Sequence, residues 1–152
     1  MPIEIKPFTA DHLEDVLSFE RTLREEEDVW GWEIDDAYVK AVQKSFRDPS
    51  FEDSISLLGY LDGKVVGRID CSMIKTRFDG SVRAYLDWIC VLKSKRHQGV
   101  AQALLAKLRE ELKERGITSL VGLTAANEEA QSFYKNIPHS QMRDIGIWID
   151  IE

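Results

Sequence analysis

The 152-residue sequence predicts one mixed α/β domain, and three features of the chain carry that expectation. Two Asp-Gly pairs, Asp62-Gly63 and Asp79-Gly80, separate alternating apolar runs in mid-chain, the pattern of antiparallel strands joined by tight turns. A long segment after Gly99 carries apolar residues at helical spacing and closes on Gly116. Between them stand the strand-like run Leu86-Asp87-Trp88-Ile89-Cys90-Val91, a polar connection over 92–95, and Arg96-His97-Gln98-Gly99-Val100-Ala101 opening the helix.

Each element follows from its residues in order. Ile3, Ile5 and Pro7 alternate on one face of a short first strand. Thr9 suits an N-cap, with His12 at the third helical position, where a capping box has Glu. Leu13, Val16, Leu17, Phe19 and Leu23 then share a helix face that ends near Arg24. The run Glu25-Glu26-Glu27-Asp28 repels itself and leads into Val29-Trp30-Gly31-Trp32, a loop or frayed helix end. Asp35-Asp36 starts a second helix with Tyr38, Val39, Val42 and Phe46, stopped by Asp48-Pro49. Three antiparallel strands are expected over 55–61, 64–74 and 83–91. Val100, Leu104, Leu108 and Leu112 form the apolar face of the long helix, with Ala101, Ala103 and Leu105 beside it. A strand over 117–123, a helix from Asn127 to about Asn136 and a terminal strand over 145–151 complete the prediction. Repeats, linkers and low-complexity segments are absent from the pattern.

Composition narrows the function. Cys71 and Cys90 sit in apolar strand-like runs, and no C-x-x-C or H-x-x-x-H spacing offers a metal cage, so free thiols and no metal are expected. Met1-Pro2-Ile3-Glu4 lacks the basic start and apolar run of a signal peptide, and no window is apolar enough for a membrane span. A soluble, cytoplasmic protein is therefore predicted. The formal net charge of −7 is unevenly placed. From Asp11 to Asp36 eleven acidic residues face only Arg21 and Arg24, net −9, whereas Lys93 to Arg115 carries net +4. A basic corner suits phosphates; an acidic lobe suits a cationic amine and argues against nucleic acid. Solvated acidic helix faces are an equal explanation of the lobe.

The strand, turn, glycine and helix start read as a pyrophosphate cradle, where unpaired backbone N–H groups and the helix dipole favour an anion. A dinucleotide fingerprint needs G-x-G-x-x-G and a P-loop needs G-x-x-x-x-G-K-[ST]; this segment has only Gly99. What stands here is Arg96-x-x-Gly99-x-Ala101, and a second segment, Asn127-Glu128-Glu129-Ala130-Gln131-Ser132-Phe133-Tyr134-Lys135, follows the later strand. The first resembles the acyl-CoA signature [RQ]-x-x-G-x-[GA] of the GNAT superfamily of N-acetyltransferases, and the second its N-x-x-A-x-x-[FL]-Y block. Together with the strand and helix between them, the resemblance covers about residues 83–135.

The resemblance implies a GNAT-like fold: a central, mostly antiparallel sheet with one strand pair splayed at the cofactor, acetyl-CoA. It lays the Ile89, Cys90 and Val91 backbones along the pantetheine arm. The pyrophosphate falls to backbone N–H groups from Arg96 through His97, Gln98, Gly99, Val100 and Ala101. Asn127 matches the residue that bonds the pantetheine arm, and Tyr134 the general acid near the sulfur; a phenol is well matched to a departing thiolate. Asn127 is equally a good N-cap, and Phe133-Tyr134 could be core aromatics.

Asp87 is the candidate base or amine-positioning residue, since Leu86-Asp87-Trp88-Ile89 is similar to an L-[ED]-x-[IL] strand in aminoglycoside-acetylating relatives. Alternation sets it on the face opposite Leu86 and Trp88, so a polar face also explains it. Trp30, Trp32 and Glu33 fall where the superfamily shapes its acceptor site; packing of the first helices explains the tryptophans equally well. Relatives commonly continue with Gly-Phe after the tyrosine. Here Lys135-Asn136-Ile137-Pro138 follows instead, which leaves the terminal strand, and a homodimer contact through it, open. The sequence thus predicts direct acetyl transfer to a small aminoglycoside-like or polyamine-like amine. Acetylation of a peptide or protein amine, and a non-catalytic acyl-CoA sensor, are the other two readings.

Overall fold

The computed structural model describes residues 2–28 and 33–151, which divide into two compact units at 121/122. The first unit holds β1 (Glu4–Pro7), α1 (Leu13–Glu26), α2 (Asp36–Ser45), β2 (Ile55–Leu61), β3 (Lys64–Lys75), β4 (Val82–Val91) and α3 (Val100–Glu114). β5 (Leu120–Gly122) crosses the division, and α4 (Glu128–Lys135) belongs to the second unit. The five strands form one sheet in the order β1-β2-β3-β4-β5, with antiparallel pairing from β1 through β4.

Local chemistry sets the boundaries. The Thr9 backbone N–H donates to His12 Nδ1 at 3.3 Å, so an imidazole does what Glu does in a capping box. Helix α1 then runs two residues past Arg24. Asp35 caps α2 by accepting from the Tyr38 N–H at 2.8 Å. At the β2–β3 turn Asp62 and Gly63 adopt φ of +51° and +74°, the left-handed pair a type I′ hairpin requires.

The sheet is covered on both faces. Glu20 of α1 reaches Arg68 on one face, while Val100 of α3 lies over Gly67, the next residue of β3, on the other. α1 buries Val16, Leu17, Phe19 and Leu23; α3 buries Val100, Leu104, Leu108 and Leu112. Gly67 brings α3 close. A Cβ there would stand 2.8 Å from Val100 Cγ1 and 3.2 Å from the Cys90 carbonyl oxygen. Gly59 on β2 admits the same valine, its ideal Cβ lying 3.1 Å from Val100 Cγ1. The first turn of α3 is thereby seated at the end of β4.

Two expected strands differ. β5 covers only 120–122 of the predicted 117–123, and the predicted terminal strand over 145–151 does not form. Ile145, Ile147, Ile149 and Ile151 keep the alternation of a strand, yet they and Trp148 are 70–96% exposed. Alternation names the face a strand would bury; it supplies no partner edge.

Candidate functional site

The pairing of β3 with β4 breaks its register at one point. Asp70 pairs with Trp88 and Cys71 with Leu86, so Asp87 is the extra residue of a β-bulge. Simple alternation had set Asp87 opposite Trp88, and the bulge overturns that. Trp88 is paired with Asp70 and its ring lies 6.0 Å from the Arg68 guanidinium carbon, on the α1 face. Asp87 joins it there, because Ser72 Oγ, on the same face as Arg68 and Asp70, donates to Asp87 Oδ2. Leu86 alone turns to the α3 side, buried opposite Cys71.

Asp87 opens onto a cavity of about 750 Å³ that Phe8, Phe46, Arg68, Asp70 and Ser72 also line. That is the size of a small-molecule site. Burial raises the Asp87 carboxyl above the usual carboxylate range, the charge of Asp70 adds to this, and the Ser72 hydroxyl opposes it. No lysine or arginine pairs with Asp87 among the described residues.

The cradle lies beyond the other end of β4. Leu92 N–H donates to Val66 O at 2.9 Å, a 3-10 turn covers Lys93–Lys95, and His97 and Gly99 both take left-handed φ, +60° and +86°. The backbone N–H groups of residues 97–102 find no acceptor among the described residues. Six consecutive free donors, three of them in the first turn of a fifteen-residue helix, form a concavity that fits a pyrophosphate. Gly99 is needed first for its backbone angle. β5 meets β4 near its start, where Ala84 N–H donates to Ser119 O at 3.0 Å. No strand flanks the outer edge of Ile89, Cys90 and Val91 among the described residues, so main-chain groups there other than the Val91 carbonyl, which Arg96 engages, can meet an extended ligand.

Arg96 does not simply face the cradle. Its NH2 lies 2.5 Å from Glu27 Oε1 and its Nε donates to Val91 O at 3.3 Å. Beside it Glu26 accepts from both the N–H and the hydroxyl of Ser94, at 3.1 and 2.5 Å, and these bonds hold its carboxyl below the usual range. The acidic end of α1 and the basic loop, which charge counting had separated, therefore meet.

In the second unit Asn127 caps α4, its Oδ1 accepting from the Ala130 N–H at 2.8 Å. Tyr134 is half-buried on α4 against Phe133, ring centroids 5.3 Å apart, and burial raises its hydroxyl above the usual value. Glu33 is exposed just before α2, whereas Trp30 and Trp32 lie outside the described residues. Both thiols are free; burial pushes Cys71 up to about 11 and Cys90 up to about 12, which argues against an acyl nucleophile. No metal-binding cluster occurs among the described residues. Sequence reasoning missed Arg68, Asp70 and Ser72 around Asp87 and Gly67 under α3. A glycine inside an apolar strand was the one available signal, for Gly67.

A strand with an open edge, running into a helix start with free N–H donors and carrying a carboxylate toward a cavity, is an arrangement suited to bringing an anionic co-substrate to an acceptor. The chain belongs to the Acetyltransferase (GNAT) family, whose model matches residues 10–137. Members are acetyl-CoA-dependent N-acetyltransferases. A search of curated protein sequences finds no match. Among solved structures, the chain is similar to an aminoglycoside acetyltransferase, meta-AAC0020, from an uncultured soil metagenomic sample, in complex with trehalose (TM-score 0.80, 15% identity, 99% of this chain and 97% of that one). It is also similar to a ribosomal-protein-alanine N-acetyltransferase from Brucella melitensis biovar Abortus 2308 (0.75, 16%, all of both chains). A third is AAC(6')-Iy in complex with a bisubstrate analog, CoA-S-monomethyl-acetylneamine (0.77, 20%, 99% of both). At these identities the likeness is one of fold. No helix of the described residues is long and apolar enough to cross a membrane.

Proposed function

We propose that the protein acetylates a primary amine of a cationic small molecule, aminoglycoside-like or polyamine-like, by direct transfer in a ternary complex. The observation that carries this is Asp87: a carboxylate re-aimed by a bulge, facing a cavity of small-molecule size, with no cation of the protein's own paired to it among the described residues. An ammonium supplies the missing charge. Acetyl-CoA, when bound, supplies the activated thioester. The six N–H donors of 97–102 hold its pyrophosphate, and the main chain of Ile89–Val91 aligns its pantetheine arm.

Asp87 takes one proton from the bound ammonium, freeing the nitrogen lone pair that attacks the thioester carbon, and the second proton, shed as the N–C bond forms, passes to water. Its raised proton affinity brings it nearer to that task than an ordinary carboxylate. As the C–S bond breaks, Tyr134 returns a proton to the sulfur; a desolvated phenol holds that proton until a thiolate needs it. Peptide N-acetylation is the second reading, favoured by the acidic run at the end of α1, which suits a basic peptide.

The test is amine-dependent release of free CoA from acetyl-CoA across aminoglycosides, polyamines, amino acids and short basic peptides, with Tyr134→Phe as control. Turnover of one small-amine class, slowed in the control, supports the proposal. Turnover of basic peptides alone moves the assignment to the second reading. Silence across the panel, with acetyl-CoA still raising the melting temperature, leaves an acyl-CoA sensor.

A further inference from the structure

Resting on the reading of Asp87 as the group that deprotonates the amine, we propose that Ser72 is its positioning residue: the Ser72 hydroxyl fixes one oxygen of the carboxylate and leaves the other to the acceptor.

The bulge creates the need. On β4, Leu86 pairs with Cys71 and Trp88 with Asp70, and Asp87 between them has no partner residue on β3. The extra residue of a bulge is left out of the ladder, so cross-strand pairing does not settle where its side chain points. A side-chain contact has to. Among the described residues Asp87 has one hydrogen-bond partner, the Ser72 hydroxyl, which donates to Oδ2 across the strand pair.

Ser72 stands on firm ground for this. It lies in register opposite Tyr85, on the regular stretch of ladder that runs from the bulge to Lys75 and Val82. A single staggered torsion sets its oxygen, so the hydroxyl is a short, stiff arm on a paired residue. The side chain is half-buried and lines the same cavity as Asp87.

The chemistry of the donor matters as much as its place. A carboxylate only accepts, so the hydrogen of this bond belongs to Ser72, and it is the only one the hydroxyl has. Oδ1 keeps its lone pairs, and the proton taken from the ammonium is received there. A neutral donor also leaves the carboxylate its full charge. Arg68, the cation on the same face of β3, is committed elsewhere: its Nε stands 2.6 Å from Asp70 Oδ2, its NH2 donates to Asp70 Oδ1 at 3.1 Å, and it lies 3.4 Å from Glu20 Oε1. Ser56 Oγ donates to Asp70 Oδ1 as well, at 2.5 Å. Asp70 is thus spent on an internal ion pair, whereas Asp87, held by a hydroxyl, remains for a cation from outside.

Ser72→Ala removes the arm without touching the charge. With a primary amine turned over in the panel above, it is expected to lower kcat by roughly tenfold or more, as follows from losing one hydrogen bond to a charged group, while KM for the amine changes by less than about threefold. Ser72→Thr keeps the hydroxyl and suits a strand, and should recover most of the loss. On top of Asp87→Asn, which leaves no carboxylate to orient, Ser72→Ala should cost nothing further; that non-additivity separates positioning from a general loosening of the strand. The melting temperature, and CoA binding by calorimetry, should match wild type. The bond is also readable without turnover: the carbon NMR signal of the Asp87 carboxyl, assigned by its disappearance in Asp87→Asn, should move in Ser72→Ala. A wild-type kcat in Ser72→Ala, an equal loss in Ser72→Thr, additive losses in the double variant, or a carboxyl signal that Ser72→Ala leaves unmoved overturns the proposal. Asp87→Asn with the wild-type rate overturns instead the role of Asp87 on which it rests.

Discussion

In the role proposed for it, Asp87 makes opposite contributions to stability and to catalysis. Its carboxyl is raised in the folded protein above its ordinary value of 3.8, so the fold binds a proton more tightly there than the unfolded chain does. Stability from this group is therefore full below that ordinary value and declines as pH rises through the folded one. Asp87→Asn removes the penalty. The variant should melt no lower than wild type at pH 7 while kcat falls by roughly 10²-fold or more, checked by thermal melting beside steady-state rates. The residue was legible in the sequence as an acidic side chain at the right register of a signature strand. Its orientation was not, because a bulge is set by the pairing of two strands and leaves no mark in either one. Tyr134 and Asn127, like Asp87, are proposed from their places in a motif; of the two, Asn127 performs the capping that its chemistry alone predicts.

At the scale of elements, the seating of α3 decides whether the cradle exists. Gly67→Ala would press a methyl against Val100 and the Cys90 carbonyl, and the backbone oxygen has little room to yield. We expect a loss of about 1–3 kcal/mol by chemical denaturation, together with weaker CoA binding by calorimetry, since the helix start carries the donors. The clasp between α1 and the loop has a pH signature. Glu26 is held below its ordinary 4.5, so its contribution is present above that value and lost as pH falls through its depressed folded one. The melting difference between wild type and Glu26→Gln should accordingly vanish in acid and reappear toward neutrality. Hairpins and helices were readable because Asp-Gly turns, caps and 3.6-residue spacing act locally. The clasp was not, because Glu26 and Ser94 are 68 residues apart and meet only when the sheet assembles. The terminal run failed for a related reason: its alternation is real, but a strand is a relation between two segments.

Across the molecule the division of labour follows the sheet. One face carries α1 and the buried polar chain from Tyr38 of α2 through Glu20 and Arg68 to Asp70, the cavity at Asp87 reaches from there to Glu111 of α3, and the far end of β4 leads to the free N–H donors of 97–102. Charge counting suggested an acidic lobe for the acceptor and a basic corner for the cofactor, and composition alone could not tell that their borders touch. Because Glu27 holds Arg96 at 2.5 Å, the acidic and basic regions share a contact of opposite charges. Exchanging the α1–α2 region with that of a relative, the obvious way to graft a new acceptor preference, would also strip the cradle of two carboxylates. Such chimaeras should gain affinity for CoA several-fold at low ionic strength, and lose the gain in high salt, whatever amine they come to prefer. On the proposed function, acceptor choice and cofactor grip are inherited together in this chain, and neither would be bred independently of the other.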